Sequence, residues 1–294
     1  MHKKPQLIMG FADYDVPARN LAATLNLPYK QIQVHRFPDG ECKLTVPVDL
    51  PEHIAICRSL NQPDSKLIEL LLASHTARQH GALEITLIAP YLCYMRQDIE
   101  FNPGEAVSQK IIGRFLAEQF DALITVDAHL HRVHDLHEAV PVKQATNLSA
   151  AALIGEHIKN TVDHPLFIGP DEESKQWVQT AAQRGDFEYG VAHKERLGDA
   201  NVKISLPDMT YAQRNVVIID DMASTGQTII ETAKQLKDLK ARSIQCAVTH
   251  ALFYDQATRQ MQQAGIENIW STDSVQHPSN HISLAQLLAG EFSN

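Results

Sequence analysis

The residues in this chain best suited to chemistry lie in Asp220-Asp221-Met222-Ala223-Ser224-Thr225-Gly226-Gln227-Thr228. The apolar run Val216–Ile219 precedes them and reads as a buried strand ending at two adjacent acids. Ile229, Ile230, Ala233 and Leu236 then recur at helical spacing. A strand, a small-residue loop and a helix start form an anion cradle, because helix N-terminal N–H groups and the helix dipole favour negative charge. The hydroxyls of Ser224, Thr225 and Thr228 can donate to phosphate oxygens. Asp220 and Asp221 can accept from sugar hydroxyls or hold a metal. Helix capping alone needs one or two such residues. The full set suits a 5-phosphorylated sugar.

Other chemistry-bearing groups are scattered more widely. Phe37-Pro38-Asp39-Gly40-Glu41 is a turn signature between strand-like segments, and by itself it reads as a surface hairpin. Tyr91–Asp98 follows the strand Ile85–Ala89 and brings Arg96, Gln97 and Asp98 to a strand's C-terminal end, where open α/β sheets bind ligands. A solvated loop with a local ion pair explains that cluster equally well. Asp127, His129, His131, His134 and His137 form a metal-capable set. Alternation at the strand end aims Asp127 and His129 together, while the other three histidines read as structural or exposed. Beside phosphate sites magnesium fits better than zinc, since it takes one or two protein ligands plus phosphate oxygens and water. Asp171 follows the strand Leu166–Ile168, where a helix-capping role is as natural as a ligand role. Lys194 and Arg196 stand two apart, so in extended backbone they share a face. They suit either a solvated edge or a clamp on a transferring phosphoryl group.

The elements that must position these groups alternate between apolar strands and helical patterns. Strands are expected at Ile54–Cys57, Ile85–Ala89, Ala122–Val126, Leu166–Ile168, Val216–Ile219 and Ile244–Thr249. Helices are expected at Lys66–Gln79, Ser108–Phe120 and Ser174–Gln183. That alternation argues for parallel α/β sheets. Leu123–Asp127 echoes Val216–Asp220, each an apolar strand ending in an acid, which points to two related halves meeting near Val140–Asn147. Gly198–Met209 is polar and reads as a mobile connection or short edge hairpin.

The 294 residues allow one large or two ordinary domains, and the formal net charge of −9 argues against a general nucleic-acid binder. Cys42, Cys57, Cys93 and Cys246 form no CxxC pair and read as reduced thiols of a cytoplasmic protein. No apolar run is long enough for a membrane span, and the basic start Met1–Lys4 leads into a first strand rather than a signal peptide.

Taken in order, these motifs resemble those of the ribose-phosphate diphosphokinases, from the first strand to near the C-terminus. The turn at Phe37–Glu41, the segment Pro90–Asp98, the metal segment Val126–His129, the Lys194/Arg196 pair and the loop Asp220–Thr228 all match in family order. The resemblance implies two related type I phosphoribosyltransferase-like domains, each a mainly parallel sheet flanked by helices. An ATP-binding and oligomerisation domain would span 1–145, and a ribose 5-phosphate-binding domain 146–294. It implies transfer of the diphosphoryl group of ATP to the C1 hydroxyl of ribose 5-phosphate, giving AMP and 5-phosphoribosyl 1-diphosphate. Arg96, Gln97 and Asp98 would hold ATP, with Phe37, Asp39 and Glu41 from a neighbouring subunit of a homo-oligomer, at least a dimer. His129 and Asp171 would hold Mg2+. Asp220, Asp221, Ser224, Thr225, Gly226 and Thr228 would bind the sugar phosphate, and Lys194 and Arg196 would close over the transition state. A phosphoribosyltransferase would share only the Asp220–Thr228 loop, and a catalytically silent regulatory homologue is the third reading. Three departures stand out: Glu172-Glu173-Ser174 where the family has paired glycines, no basic residue in Ile99–Glu105, and Gln227 in place of a small residue. They imply a differently built pocket after Asp171 and no regulation through a basic inter-subunit site.

Overall fold

The computed structural model describes residues 1–130, 132–133, 135–196 and 202–293, with the backbone alone at 194–196, 202–203 and 293. His131 and His134 lie outside the described residues. The chain forms two compact units, Met1–Leu148 with Ser283–Asn294, and Ser149–Ile282.

The first unit runs β1 (His2–Lys3), β2 (Leu7–Gly10), α1 (Asp15–Thr24), β3 (Tyr29–Gln31), β4 (Gln33–Arg36), β5 (Cys42–Thr45), β6 (His53–Cys57), α2 (Pro63–Gln79), β7 (Glu84–Ala89), α3 (Ser108–Gln119), β8 (Ala122–Val126), α4 (Leu136–Ala139) and β9 (Gln144–Leu148). Its parallel sheet has the order β3-β2-β6-β7-β8-β9, and β4 and β5 pair as a separate antiparallel hairpin. The second unit runs α5 (Ala151–Lys159), β10 (Pro165–Gly169), α6 (Lys175–Ala182), β11 (Tyr189–Val191), β12 (His193–Arg196), β13 (Val202–Ser205), β14 (Asn215–Ala223), α7 (Gln227–Asp238), β15 (Ser243–Ala251), α8 (Asp255–Gln263), β16 (Ile266–Thr272) and β17 (Asn280–Ile282). Its parallel sheet has the order β11-β10-β14-β15-β16-β17, again beside a separate hairpin, β12-β13. The chain closes with α9 (Ala285–Ala289) and β18 (Phe292–Ser293), and β18 pairs with β1.

The two halves therefore share one topology, but not through the echo seen in the sequence. By sheet position β14 corresponds to β6, whereas β8, which ends before Asp127, corresponds to β16. The similarity of Leu123–Asp127 to Val216–Asp220 reflects burial of both strands, not equivalence. Register fixes the true correspondence. The carbonyl of Gly10 accepts from Ile32 N–H, and that of Gly169 from Ala192 N–H, both at 2.8 Å. Gly10 pairs with Cys57 across β2 and β6, and Ile168 with Ile218 across β10 and β14. Cys57 thus matches Ile219, Arg58 matches Asp220, and Ser59 matches Asp221.

Burial explains why the strands read as apolar runs. In β14, Val216 and Ile218 join the cluster containing Ile229, Ile230 and Leu236 of α7 and Met261 of α8. Val217 and Ile219 face the other way, into the cluster of Ile154 and Ile158 of α5 with Trp177 and Val178 of α6. A parallel strand covered on both faces has no solvent side to mark with polar residues. The helices follow the expected stretches with shifted ends. α2 starts at Pro63, whose fixed φ suits a first helical position. Before α6, Glu172–Ser174 form a 3-10 turn. Cys57, Cys93 and Cys246 are buried free thiols, and burial pushes the Cys93 thiol up to about 12.

The last sheet strand of each unit leads into a helix that completes the other unit. β9 runs into α5, which packs on α6, and β17 runs into α9, which packs on α1. Ser283–Asn294 consequently groups with the first unit, although it follows the second in sequence. Among the described residues, no helix is long and apolar enough to cross a membrane.

The α5–α6 contact depends on Gly155. A Cβ there would sit 2.3 Å from the Ala181 carbonyl oxygen and 2.8 Å from its Cα. That neighbour is backbone, so no rotamer change relieves the clash. Gly155→Ala gains about 1 kcal/mol of helix propensity but overpacks the contact, which costs typically 1–3 kcal/mol or more. Urea unfolding should therefore show a lowered midpoint; an unchanged midpoint would mean that the two helices separate freely.

Candidate functional site

In the second unit the candidate groups gather where β10 and β14 end. β14 does not stop at its acids, as the sequence suggested, but continues through Asp220 and Asp221 to Ala223. β15 is long enough to pair beside it, Asp220 opposite Val248 and Met222 opposite His250. The acids are therefore held on rigid strand backbone. Asp221 is buried, and its Oδ1 accepts from Met222 N–H at 2.7 Å. Asp220 is half-buried, and its Oδ1 accepts from Asp221 N–H at 3.0 Å. Burial, then repulsion from Asp221 and Asp171, raises the Asp220 carboxyl well above the ordinary carboxylate value.

The loop after the acids turns on Gly226, which has φ +70° and serves as N-cap of α7. A Cβ there would meet Met261 Cε at 2.5 Å, a flexible end that can move aside, so it is the backbone angle that calls for glycine. The N-cap Gly226 has no side chain to cap α7, and Thr225 Oγ1 accepts the Gln227 N–H at 3.4 Å. Ser224 and Thr225 are exposed, and Thr228 lies in the first helical turn. That turn presents backbone N–H groups that no carbonyl of the helix can satisfy. Gln227 points along the helix surface to Glu231, with Nε2 3.1 Å from Oε1. Its size therefore does not disturb the loop.

Asp171 begins the 3-10 turn before α6, with its own carbonyl accepting from Ser174 N–H and Oγ. Its side chain makes no capping hydrogen bond. The sequence had left capping as an equal alternative for this acid. Glu172 and Glu173 are exposed, and Glu172 Oε1 lies 2.6 Å from His193 Nδ1. The acid standing where the family has glycine is thus tied to the base of the β12-β13 hairpin. Lys194 and Arg196 occupy alternate positions on β12, opposite Ile204 and Val202. Gly198–Met209 contains β13, so its described part is the returning strand of a hairpin.

In the first unit, Phe37, Asp39 and Glu41 form the exposed turn of the β4-β5 hairpin. Phe37 N–H donates to the Glu41 carbonyl at 2.8 Å, and Glu41 N–H to Asp39 Oδ1 at 3.1 Å. Gly40, at φ +93°, allows the reversal. Phe37 packs edge-on against His35, with ring centroids 4.9 Å apart.

The Arg96-Gln97-Asp98 cluster divides in its environment. Arg96 is exposed. Asp98 is buried and receives Arg132 Nη1 at 2.9 and 3.2 Å. Sequence reading missed Arg132, because a partner 34 positions away leaves no local signal. Gln97 donates to Glu105, which also receives Phe101 N–H and Asn102 Nδ2. Those donors, led by Asn102, hold the Glu105 carboxyl below its ordinary value. Ile99–Glu105 is therefore a loop folded around its own acid. His129 is half-buried beyond β8, after Asp127, which adopts φ +40° and donates its N–H to the Leu148 carbonyl at 2.7 Å.

Among the described residues, no group of three or more His, Cys, Asp or Glu side chains is arranged to hold a metal ion. The convergence of Asp220, Asp221 and Asp171 is instead an electrostatic one, in which the charges of Asp221 and Asp171 act on the Asp220 carboxyl. It fits a hard divalent cation that brings most of its oxygen ligands from substrate and water.

The matching position in the first unit carries the opposite charge. Arg58 stands where Asp220 does. It donates to Asp13 at 3.1 Å and to Glu69 at 2.6 Å, and its guanidinium lies 3.9 Å above the Phe11 ring.

Comparisons with known proteins agree with this architecture. Residues 8–119 match the N-terminal domain of ribose phosphate pyrophosphokinase, and residues 142–284 match the phosphoribosyl transferase domain. The ribose-phosphate pyrophosphokinase of Methanopyrus kandleri is 34% identical, with 94% of each chain covered. That of Methanobrevibacter smithii is 31% identical, covering 96% of this chain and 98% of its own. The crystal structure of phosphoribosylpyrophosphate synthetase from Mycobacterium smegmatis shares the fold, with a TM-score of 0.82, 20% identity and 97% of each chain covered. With its duplicated parallel sheets and relatives matched over nearly their whole length, the chain belongs to the ribose-phosphate pyrophosphokinase family.

Proposed function

We infer that this chain transfers the diphosphoryl group of ATP to the C1 hydroxyl of ribose 5-phosphate. The C1 oxygen forms a bond to the β-phosphorus and loses its proton. The bond from that phosphorus to the α,β-bridging oxygen breaks, and AMP departs. The observation that carries this reading is the acid pair on β14 followed by a glycine-turned loop and the start of α7. The acids address sugar hydroxyls, and the helix start with Ser224, Thr225 and Thr228 addresses the 5-phosphate. A phosphoribosyltransferase would need this loop alone, whereas relatives covering both units carry the pyrophosphokinase name.

The remaining assignments follow from the same chemistry. Arg96 and Gln97 hold the nucleotide phosphates, and Asp98 contributes through the fixed Arg132 pair. Phe37, Asp39 and Glu41 serve the adenosine end of ATP in a neighbouring subunit of a homo-oligomer. Domain roles divide accordingly, with ATP on residues 1–145 and the sugar phosphate on 146–294. Mg2+ would be held by Asp171 and His129 together with substrate oxygens, and when bound it supplies charge neutralisation across the phosphates. Lys194 and Arg196 stabilise charge on the transferring group, and closure of their hairpin excludes water as a competing nucleophile. The reaction places the protein in the cytoplasm, where its substrates are made.

Release of AMP from ATP and magnesium should depend on ribose 5-phosphate; a sugar-independent or absent signal removes this reading. With Lys194→Ala, turnover should fall by about 10³-fold or more, on the scale of other cationic phosphoryl clamps. Nucleotide affinity should survive in that variant, and equal loss of both would contradict a role confined to the transition state. Asp221→Ala should raise the KM for ribose 5-phosphate by about tenfold to a hundredfold, the range for hydrogen bonds to charged groups. An unchanged KM would remove Asp221 from the sugar site.

The raised Asp220 carboxyl also has a stability consequence. Its pKa lies above the unfolded value, so the folded state binds the proton more tightly. The ligand-free protein therefore loses stability as pH rises from the ordinary carboxylate value through the raised one. Asp220→Asn removes that loss. Its melting temperature should exceed that of the parent by a few degrees at neutral pH, with the gain vanishing below the ordinary carboxylate range. A gain independent of pH would show that the Asp220 carboxyl is not raised in the folded protein.

A further inference from the structure

Glu69 of α2 is buried between two guanidinium groups that belong to different parts of the first unit. Arg58 Nη2, from the tip of β6, donates to Glu69 Oε2 at 2.6 Å. Arg36 Nη2, from the last residue of β4, donates to Glu69 Oε1. Arg58 is fixed on its far side by Asp13, which also holds Lys66 at 2.9 Å. Lys66 in turn donates to the Ser59 carbonyl at 2.8 Å and to Asn61 Oδ1 at 2.9 Å. The set thus runs without a break from the tip of the central strand β6, through α2, to the residue immediately before Phe37.

The hairpin needs such a tie. It stands outside the six-stranded sheet, and its turn 37–41 is fully on the surface. Val34 and Leu44 pack its body against the core. Apolar packing of that kind fixes depth but not orientation, because it is non-directional. The Arg36–Glu69 pair supplies direction, since a guanidinium binds a carboxylate in a defined plane. A buried carboxylate between two fixed cations cannot follow a wandering hairpin without leaving a charge uncompensated.

We propose that Glu69 is a positioning residue for the nucleotide: through Arg36 it aims the Phe37–Glu41 turn at the ATP it serves. This rests on the reading of that turn as part of the ATP site. The residue touches neither substrate nor reacting atoms, so its effect should fall on nucleotide binding and not on the sugar.

Glu69→Gln keeps shape but puts an amide N–H2 against one guanidinium. Steady-state kinetics should show the KM for ATP raised about tenfold, the loss expected for one charge-assisted hydrogen bond. The KM for ribose 5-phosphate should stay within about twofold, the scatter of near-neutral substitutions. Hydrogen exchange should quicken at residues 33–45 and stay unchanged in β6 and β7. Arg36→Leu breaks the same pair from the exposed side and should repeat the pattern, which covers the case in which Glu69→Gln fails to fold. The double variant should be no worse than either single one. Phe37→Ala tests the underlying reading: without a raised KM for ATP, the turn does not serve the nucleotide and both claims fall. If Phe37→Ala raises that KM while Glu69→Gln or Arg36→Leu does not, the positioning inference alone is overturned. Equal rises for both substrates would also overturn it, marking Glu69 as a general stabiliser.

Discussion

The site rests on three acids brought together where two neighbouring strands end. Asp220 and Asp221 are successive residues of one strand, and Asp171 lies at the end of the neighbouring strand. On a flexible loop such acids would turn toward water and away from one another. Here β15 pairs alongside β14 through the acids themselves, so their backbones cannot separate. The raised Asp220 carboxyl expresses that confinement. Negative charge held in place calls for sugar hydroxyls, which donate, and for a cation. The positive end of α7 lies directly beyond, ready for phosphate. Donor-seeking and anion-seeking surfaces therefore stand side by side, spaced by Ala223–Gly226.

Duplication makes the value of those acids visible. The first unit has the same strand order, the same hairpin and the same hydrogen bond from the hairpin's entry to the first central strand. At the matching strand tip it substitutes Arg58 and Ser59 for the acids and pairs the guanidinium with Asp13 and Glu69, over the Phe11 ring. A tip closed by its own ion pairs offers little to a sugar phosphate, because a ligand must first displace partners already in place. One topology thus carries two acids at the strand tip of the second unit and an arginine paired with two carboxylates at that of the first. Fold alone does not distinguish them; the sign of one side chain and the presence of its partners do.

Much of the architecture was legible because buried parallel strands must be apolar on both faces, as Val216–Ile219 shows with neighbouring residues entering opposite clusters. The same uniformity misled the reading of the repeat. Leu123–Asp127 resembles Val216–Asp220 only because any such strand resembles another, whereas equivalence is a property of pairing order. The extension of β14 through its acids was equally hidden. Carboxylates are poor strand formers, and what keeps them extended is the length of β15. Likewise the Arg132 partner of Asp98 and the Arg58 and Lys66 partners of Asp13 come from distant segments. Local sequence shows the loop Asp220–Thr228 well because its function requires adjacent residues. It shows ion pairs poorly because theirs do not.

The two hairpins extend the contrast between the units. Arg36 and Arg196 occupy the same position, four residues beyond the equivalent Ile32 and Ala192, whose N–H groups bond to Gly10 and Gly169. In the first unit that arginine is captured by a buried acid on the following helix. In the second, the residue tied down is His193 at the hairpin's base, held by exposed Glu172. An exposed pair of this kind contributes little and breaks easily, whereas a pair with a buried carboxylate does not. The same supersecondary element is therefore fastened near its tip in the first unit, and His193 ties it at its root in the second. A surface that receives a nucleotide gains from the first arrangement, since misplacement weakens every contact at once. Under the proposed function, an arm that closes over a reacting group and then releases product would gain from a root contact that is easily made and undone.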